Sequence, residues 1–142
     1  MTTIDFYFNA ADRLQVACRL AGKALAQGKR LVVFAPDPGT AQRIDQMLWT
    51  WPAVAFVPHC MADDSLAAET PVVIATDASA GEAELLLNLG IDCPPYFERF
   101  ERLLEIVSRD EGSRREARGR YRFYRERGYR ISDHDLAGEG AR

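Results

Sequence analysis

Arginine is concentrated between residues 112 and 130, and its spacing there is helical. Eight arginines and no lysine occupy this window: Arg114, Arg115, Arg118, Arg120, Arg122, Arg125, Arg127 and Arg130. At about 100° per residue, one tyrosine and four of the arginines share one helical face: Arg114, Arg118, Tyr121, Arg122 and Arg125. Guanidinium groups are planar, permanently charged and donate paired hydrogen bonds to carboxylates and phosphates. The stretch therefore predicts a helix that recognises an anion.

Two interpretations of this face stay open, a solvated basic surface or a binding surface. Only Glu116 and Glu126 oppose the arginines, so the window carries +6 in a chain of net charge −3, and the remaining residues sum to −9. Like charges one turn apart repel each other, which favours the binding interpretation. Ala117, Tyr124 and Gly128 cluster beside the arginine face, where we expect packing against a core.

Length and composition indicate one soluble globular domain. The chain has 142 residues, of which 47% are hydrophobic and 27% charged, a typical balance for such a domain. No apolar run approaches the roughly 18 residues of a membrane span, and the N-terminus lacks a signal peptide pattern, so we expect a cytoplasmic protein without membrane contact. The widely spaced Cys18, Cys60 and Cys93 are predicted to be small buried side chains rather than disulfide or metal ligands.

Strands alternate with helices over the first half of the chain. The predicted elements are a strand at 4–8, a helix at 14–25 that Gly28 ends, a buried strand at 31–35, and a helix from the Asp37-Pro38-Gly39 turn to about Trp49. Asp37 or Thr40 caps this second helix. The order predicts a single α/β domain with a mainly parallel sheet and helices on both faces.

The second half is less regular. Short strands are predicted at 72–75 and 85–89 and a short helix around Phe97, whereas 103–107 fits either a helix or a strand because short apolar runs have no decisive period. From Ser132 the sequence is polar and contains glycine, which is typical of disorder. The predicted domain therefore spans residues 1–131, followed by a disordered tail at 132–142.

Motifs for catalysis and nucleotide binding are missing from the sequence. A phosphate loop needs glycines followed by Lys-Ser/Thr, but Asp37-Pro38-Gly39-Thr40 has no lysine after its glycine. His59 and Cys60 would point to opposite faces of a strand, so His59 is interpreted as structural, and His134 lies in the predicted tail. Acidic residues lack the spacing of metal ligands. We expect no metal, no cofactor and no catalytic site.

A tryptophan- and proline-rich segment at 49–59 is the second unusual feature. Tryptophan is frequent at the energetic centres of protein interfaces. Trp49, at a helix end, is predicted to pack in the core, whereas Trp51 fits either a core or an interface. Together Trp49, Trp51 and Pro52 form a candidate surface for a second partner.

These two features together resemble the chi subunit family of the bacterial DNA polymerase III holoenzyme, a clamp-loader accessory subunit. The resemblance covers residues 3–131 and is carried by Trp49-x-x-Pro52-x-x-x-Phe56-Val57-Pro58-His59, Arg118, Arg120-Tyr121-Arg122, Tyr124-Arg125 and Gly128-Tyr129. It implies a non-enzymatic α/β fold related to nucleotide-binding domains but without their phosphate loop. It also implies that 103–107 is a strand.

The resemblance further implies two partners. Chi-like proteins bind the acidic C-terminal tail of single-stranded DNA-binding protein and, through a separate surface, the psi subunit. The implied tail-binding residues are Arg114, Arg118, Tyr121, Arg122 and Arg125, with Phe56 in an apolar pocket. The expected role is a replication adaptor that contacts DNA only indirectly. The alternative is direct single-stranded nucleic-acid binding, with Tyr121 stacking on a base, which the negative charge of the remaining chain disfavours.

Overall fold

The computed structural model describes residues 1–50, 57–77 and 83–137, and within them the chain forms a parallel sheet covered on both faces. The strands are β1 (Thr3–Ala10), β2 (Leu31–Phe34), β3 (His59–Met61), β4 (Val72–Ala75), β5 (Leu85–Asn88), β6 (Arg102–Ser108) and β7 (Ile131–Asp135). The helices are α1 (Arg13–Ala26), α2 (Pro38–Thr50) and α3 (Glu111–Glu126), with short 3₁₀ turns at Ala67–Glu69 and Phe97–Arg99. The strand order is β3-β4-β2-β5-β6-β1-β7, and every pairing is parallel. The predicted α/β fold is confirmed, and residues 103–107 are a strand.

Two apolar clusters lie on opposite faces of the sheet, and only one of them lies under α3. Helices α1 and α2 cover one face, where Leu14 and Ile44 pack near Leu104 of β6. Helix α3 covers the other face, where Tyr124 packs near Phe6 of β1. Because side chains alternate along a strand, Ile4, Phe6 and Phe8 of β1 all point to the α3 face.

Each of the three helices begins at an aspartate that caps it. Asp12 accepts hydrogen bonds from the backbone N–H groups of Leu14 (3.0 Å) and Gln15 (3.3 Å). Asp37 accepts one from Thr40 (3.1 Å), and Asp110 accepts one from Ser113 (2.9 Å). A carboxylate at this position satisfies free N–H groups and complements the positive end of the helix dipole. The helix ends that bind phosphate in related folds are therefore already occupied by carboxylates. None of these helices is long and apolar enough to cross a membrane.

The predicted disorder from residue 132 is wrong for the first part of the tail. Residues 131–135 form β7, which pairs with β1 and places Asp133 opposite Phe6. His134 Nε2 lies 2.9 Å from Asp5 Oδ1, and the His134 ring stacks on Tyr7 at 4.5 Å. An edge strand with one neighbour keeps polar side chains in solvent, so its composition resembled that of a disordered segment. The folded domain thus extends past residue 131; residues 138–142 lie outside the described part.

Trp49 is exposed, so its predicted core position is wrong. The buried side of α2 carries Ala41, Ile44 and Leu48, and Trp49 follows Leu48 by one residue, about 100° around the helix. The residue is 59% exposed, and its ring centroid lies 4.7 Å from that of His59. Trp51, Pro52 and Phe56 lie outside the described residues.

His59 has the structural role that the sequence indicated. It is buried, with Nδ1 2.7 Å from the Val57 carbonyl oxygen and Nε2 3.1 Å from the Asp45 carbonyl oxygen. Among the cysteines, Cys18 is buried as predicted, but Cys60 and Cys93 are only half-buried. All three are free thiols, and burial raises the pKa of Cys18 to about 11.

Candidate functional site

Helix α3 is held on the sheet by a buried polar cluster centred on Glu105 of β6. The Arg120 Nε donates to Glu105 Oε1 at 3.0 Å, and the Tyr124 hydroxyl donates to Glu105 Oε2 at 2.7 Å. The Asn88 amide lies 3.2 Å from both carboxylate oxygens. Burial raises the pKa of Glu105, while Arg120, Tyr124 and Asn88 act against this shift. Four side chains thus join α3 to the two central strands β5 and β6.

Arg120 differs from its neighbours because it is buried rather than exposed. It is 6% exposed, and its Nη1 also donates to the Ile91 carbonyl oxygen at 2.7 Å. The sequence pattern contained a signal for this position. Arg120 lies three residues after Ala117 and four before Tyr124, which are both buried, so it falls on the packing side of the helix. One arginine of the basic stretch is therefore part of the core.

An open cavity of about 450 Å³ lies between α3 and the strands β1, β6 and β7, and we call it the arginine groove. Its lining residues are Phe8, Val107, Arg114, Ala117, Arg118, Tyr121, Arg122, Arg125 and Asp133. All five residues that the sequence proposed on this helix line the groove. Phe8 of β1 and Val107 of β6 supply its apolar floor.

Tyr121 is fixed between the apolar floor and β7. Its ring centroid lies 5.0 Å from that of Phe6 and 6.3 Å from that of Phe8. Its hydroxyl donates to Asp133 Oδ2 at 3.2 Å. Burial and the neighbouring Asp133 carboxylate raise the pKa of Tyr121, and a phenol hydroxyl is in any case protonated and able to donate at neutral pH. The ring therefore forms one wall of the groove.

Arg118 makes a surface ion pair within the helix. Its Nη2 lies 2.9 Å from Glu111 Oε1, and both side chains are more than half exposed, at 59% and 62%. The hydrogen bond from Arg118 lowers the pKa of Glu111. Exposed pairs of this kind contribute little to folding. Arg118 can therefore change partners at small cost.

The groove continues beyond Arg114 toward the C-terminal end of β1. A second cavity of about 320 Å³ is lined by Phe8, Asn9, Val107, Ser108, Arg114, Asp133 and Asp135. Asn9 adopts a left-handed conformation (φ 64°) and donates through its side chain to Asp135 Oδ1 at 2.7 Å. One long wall of the combined groove carries guanidinium groups, whereas β7 contributes the carboxylates of Asp133 and Asp135.

Sequence reasoning missed Phe8, Val107 and Asp133. The period-two pattern of Ile4, Phe6 and Phe8 could have placed Phe8 on the same face as Phe6, but it could not say which helix covers that face. Asp133 was not a candidate because its segment was predicted to be a disordered tail. Phe56, predicted as the apolar wall, lies outside the described residues; Val57, the next residue, is buried on the α1 and α2 face.

The fold and this site define a parallel α/β domain with self-capped helices and a cationic groove over an apolar floor. The sequence matches the family described as DNA polymerase III chi subunit, HolC, over residues 1–132, and the chain belongs to this family. It is 40% identical over 141 residues to DNA polymerase III subunit chi of Pseudomonas aeruginosa, covering 96% of this chain and 98% of that protein. It is 29% identical over 120 residues to the protein of the same name from Escherichia coli K12, covering 83% and 82%.

Membership in this family settles the general role of the protein. The family is a non-catalytic accessory subunit of DNA polymerase III, so the protein acts in DNA replication as part of the polymerase complex. The resemblance seen in the sequence is confirmed. Within the described ranges, no group of three or more histidine, cysteine or acidic side chains is placed to hold a metal ion.

Proposed function

We propose that this protein is a replication adaptor that binds the acidic C-terminal tail of single-stranded DNA-binding protein in the arginine groove and so links that protein to the clamp loader. The observation that carries the proposal is the convergence of four arginines and Tyr121 above an apolar floor in one cavity of about 450 Å³. Family resemblance implies a tail that ends in an aromatic residue with a free carboxylate and is preceded by aspartates. Such a tail needs an apolar slot beside bidentate cations.

Each part of the groove has a matching part of the tail. Phe8, Val107 and Tyr121 form a slot for the terminal ring, and Tyr121 is held in place by Asp133. An arginine beside the slot binds the terminal carboxylate, and the other arginines bind the preceding aspartates. Burial of one phenyl ring contributes about 2 kcal/mol, and each charge-assisted hydrogen bond about 1.5–3 kcal/mol before ordering costs. We expect micromolar affinity, about −8 kcal/mol, which weakens as salt increases.

Charge reversal of Arg118 tests the proposal. In Arg118→Glu, binding of a fluorescent tail peptide, measured by anisotropy, is expected to be lost because a carboxylate replaces a cation in the groove. The melting temperature should stay nearly unchanged, since the exposed pair with Glu111 contributes little to folding. The matched control is Arg115→Glu, which makes the same charge change at an exposed position of α3 that does not line the groove. Equal loss in both variants would contradict a site-specific role for the groove.

Direct binding of single-stranded nucleic acid is the competing function. The environment of Tyr121 disfavours it, because the ring packs against Phe6 and the hydroxyl is bonded to Asp133, which restricts stacking on a base. The residues outside 112–130 sum to −9 and would also repel a long phosphate backbone, whereas a short tail contacts only the arginine face. The test is anisotropy with a bare oligonucleotide beside the tail peptide. Tight oligonucleotide binding, with peptide binding indifferent to loss of the terminal phenylalanine, would favour the competing function.

A separate surface for the psi subunit is proposed at Trp49, Trp51 and Pro52. Of these, Trp49 is described and exposed at the end of α2. That helix lies on the sheet face opposite α3, so the two partners would bind on different faces. Pull-down with a Trp49→Ala variant is the test; unchanged psi capture would contradict the assignment. A role at the replication fork implies a cytoplasmic location.

A further inference from the structure

The arginine groove contains a negative charge in a position where it opposes an anionic ligand. Asp133 lines both cavities of the groove, together with Phe8, Val107 and Arg114. It stands on β7 opposite Phe6. Its side chain points to the α3 face, because Ile131 on the same side of the strand packs against the apolar cluster of that face and the Asp133 carboxylate bonds to Tyr121. Asp133 is exposed, and its carboxylate accepts a hydrogen bond from the Tyr121 hydroxyl at 3.2 Å. An acidic ligand in this groove therefore lies between four guanidinium groups and a carboxylate.

We propose that Asp133 is a specificity-determining residue that confines the carboxylates of the bound tail to the α3 wall and lowers the affinity for acidic tails. This inference depends on the proposed tail-binding function. Holding the Tyr121 hydroxyl needs only a hydrogen-bond acceptor, which an asparagine carbonyl also provides. The negative charge is not required for that bond. Its separate effect is to repel any ligand carboxylate that approaches from β7.

The size of this effect follows from the dimensions of the groove. A cavity of about 450 Å³ has a linear dimension on the order of 8 Å, so a carboxylate bound in it lies within about one Debye length of the Asp133 carboxylate at physiological salt. Repulsion of two unit charges at this distance in a partly hydrated groove corresponds to roughly three- to tenfold in binding. Asp133→Asn is therefore expected to tighten tail binding by about three- to tenfold.

The experiment measures anisotropy with a labelled peptide that has aspartates before a C-terminal phenylalanine, and with a second peptide in which asparagines replace the aspartates. The variants are Asp133→Asn and Asp63→Asn. Asp63 is exposed and follows β3 at the opposite edge of the sheet, so its neutralisation makes the same change in net charge far from the groove. We expect tighter binding of the acidic peptide by Asp133→Asn only, and a smaller gain with the asparagine peptide.

The outcomes separate the two proposals. If the unaltered protein binds the acidic peptide but Asp133→Asn binds it equally well or more weakly, Asp133 does not repel the tail, and the inference is overturned while the tail-binding function stands. An equal gain for both peptides would overturn the inference for the tail aspartates, because the two peptides share the terminal carboxylate and differ only in the aspartates. If the unaltered protein does not bind the acidic peptide, the tail-binding function fails and the inference fails with it.

Discussion

Removal of the buried charge on Arg120 is expected to destabilise the protein far more than removal of an exposed charge on the same helix. Arg120→Met keeps most of the side-chain volume but leaves Glu105, which is fully buried, without its cation at 3.0 Å. The Ile91 carbonyl oxygen also loses a donor at 2.7 Å. Breaking a buried ion pair in this way costs about 3–5 kcal/mol. In a domain of this size, that loss lowers the melting temperature by about 10 °C.

The assay is urea unfolding followed by circular dichroism, with two further variants. Arg122→Met removes an exposed arginine that lines the groove and should cost less than about 0.5 kcal/mol. The double variant Arg120→Met/Glu105→Gln removes both charges of the buried pair. The new amide carbonyl of residue 105 still accepts a hydrogen bond from the Tyr124 hydroxyl. The free energy of unfolding of this double variant should exceed that of Arg120→Met alone by at least about 2 kcal/mol. The reasoning is refuted if Arg120→Met costs under about 1 kcal/mol, or if the second substitution adds to the loss.

Three other perturbations give separate expectations. Phe8→Ala should weaken tail-peptide binding about 30-fold, since it removes roughly 2 kcal/mol of apolar burial; unchanged anisotropy titrations would exclude Phe8 from the site. The Ser108 hydroxyl and backbone N–H donors lower the pKa of Asp110, so its stabilisation is present above the unfolded value of about 3.9 and is lost as pH falls through the lower folded pKa. Asp110→Asn should therefore lose less stability on acidification in melting experiments, and identical acid profiles would contradict this. Because Cys18 is buried with a raised pKa, a thiol reagent at pH 8 should modify Cys60 first; equal rates would show that Cys18 is accessible.

The order of strands and helices was largely predictable from sequence because local signals determined it. Gly28, with φ 70°, ends α1 as expected, and Asp37 caps α2. The strand at 31–34 is buried throughout, which matches its continuous apolar run. Strand β7 was not predictable in the same way, because its stability comes from pairing with β1, about 130 residues earlier, and from the contact of His134 with Asp5. That interaction leaves no local pattern.

The candidate groove was predictable on its helical side only. Spacing along α3 placed Arg114, Arg118 and Tyr121 on one face, and the cavity is lined by all three. The floor could not be derived from spacing, since Phe8 and Val107 come from strands that are far apart in sequence and are brought together by the sheet order. The helical spacing also distinguishes Arg120 from the other arginines, because it places Arg120 on the packing face with Ala117 and Tyr124. A count of charges does not make this distinction.

The aspartate caps have a consequence for how this subunit can be controlled. Parallel α/β folds often bind a phosphate at the start of a helix, where free backbone N–H groups face the anion. Here Asp12, Asp37 and Asp110 supply the anion from within the chain. A nucleotide at these helix ends would meet fixed negative charge, so hydrolysis of ATP has no direct effect there. Binding of an anionic partner in the arginine groove would then respond to the concentration of that partner and to ionic strength rather than to a nucleotide at these helix ends.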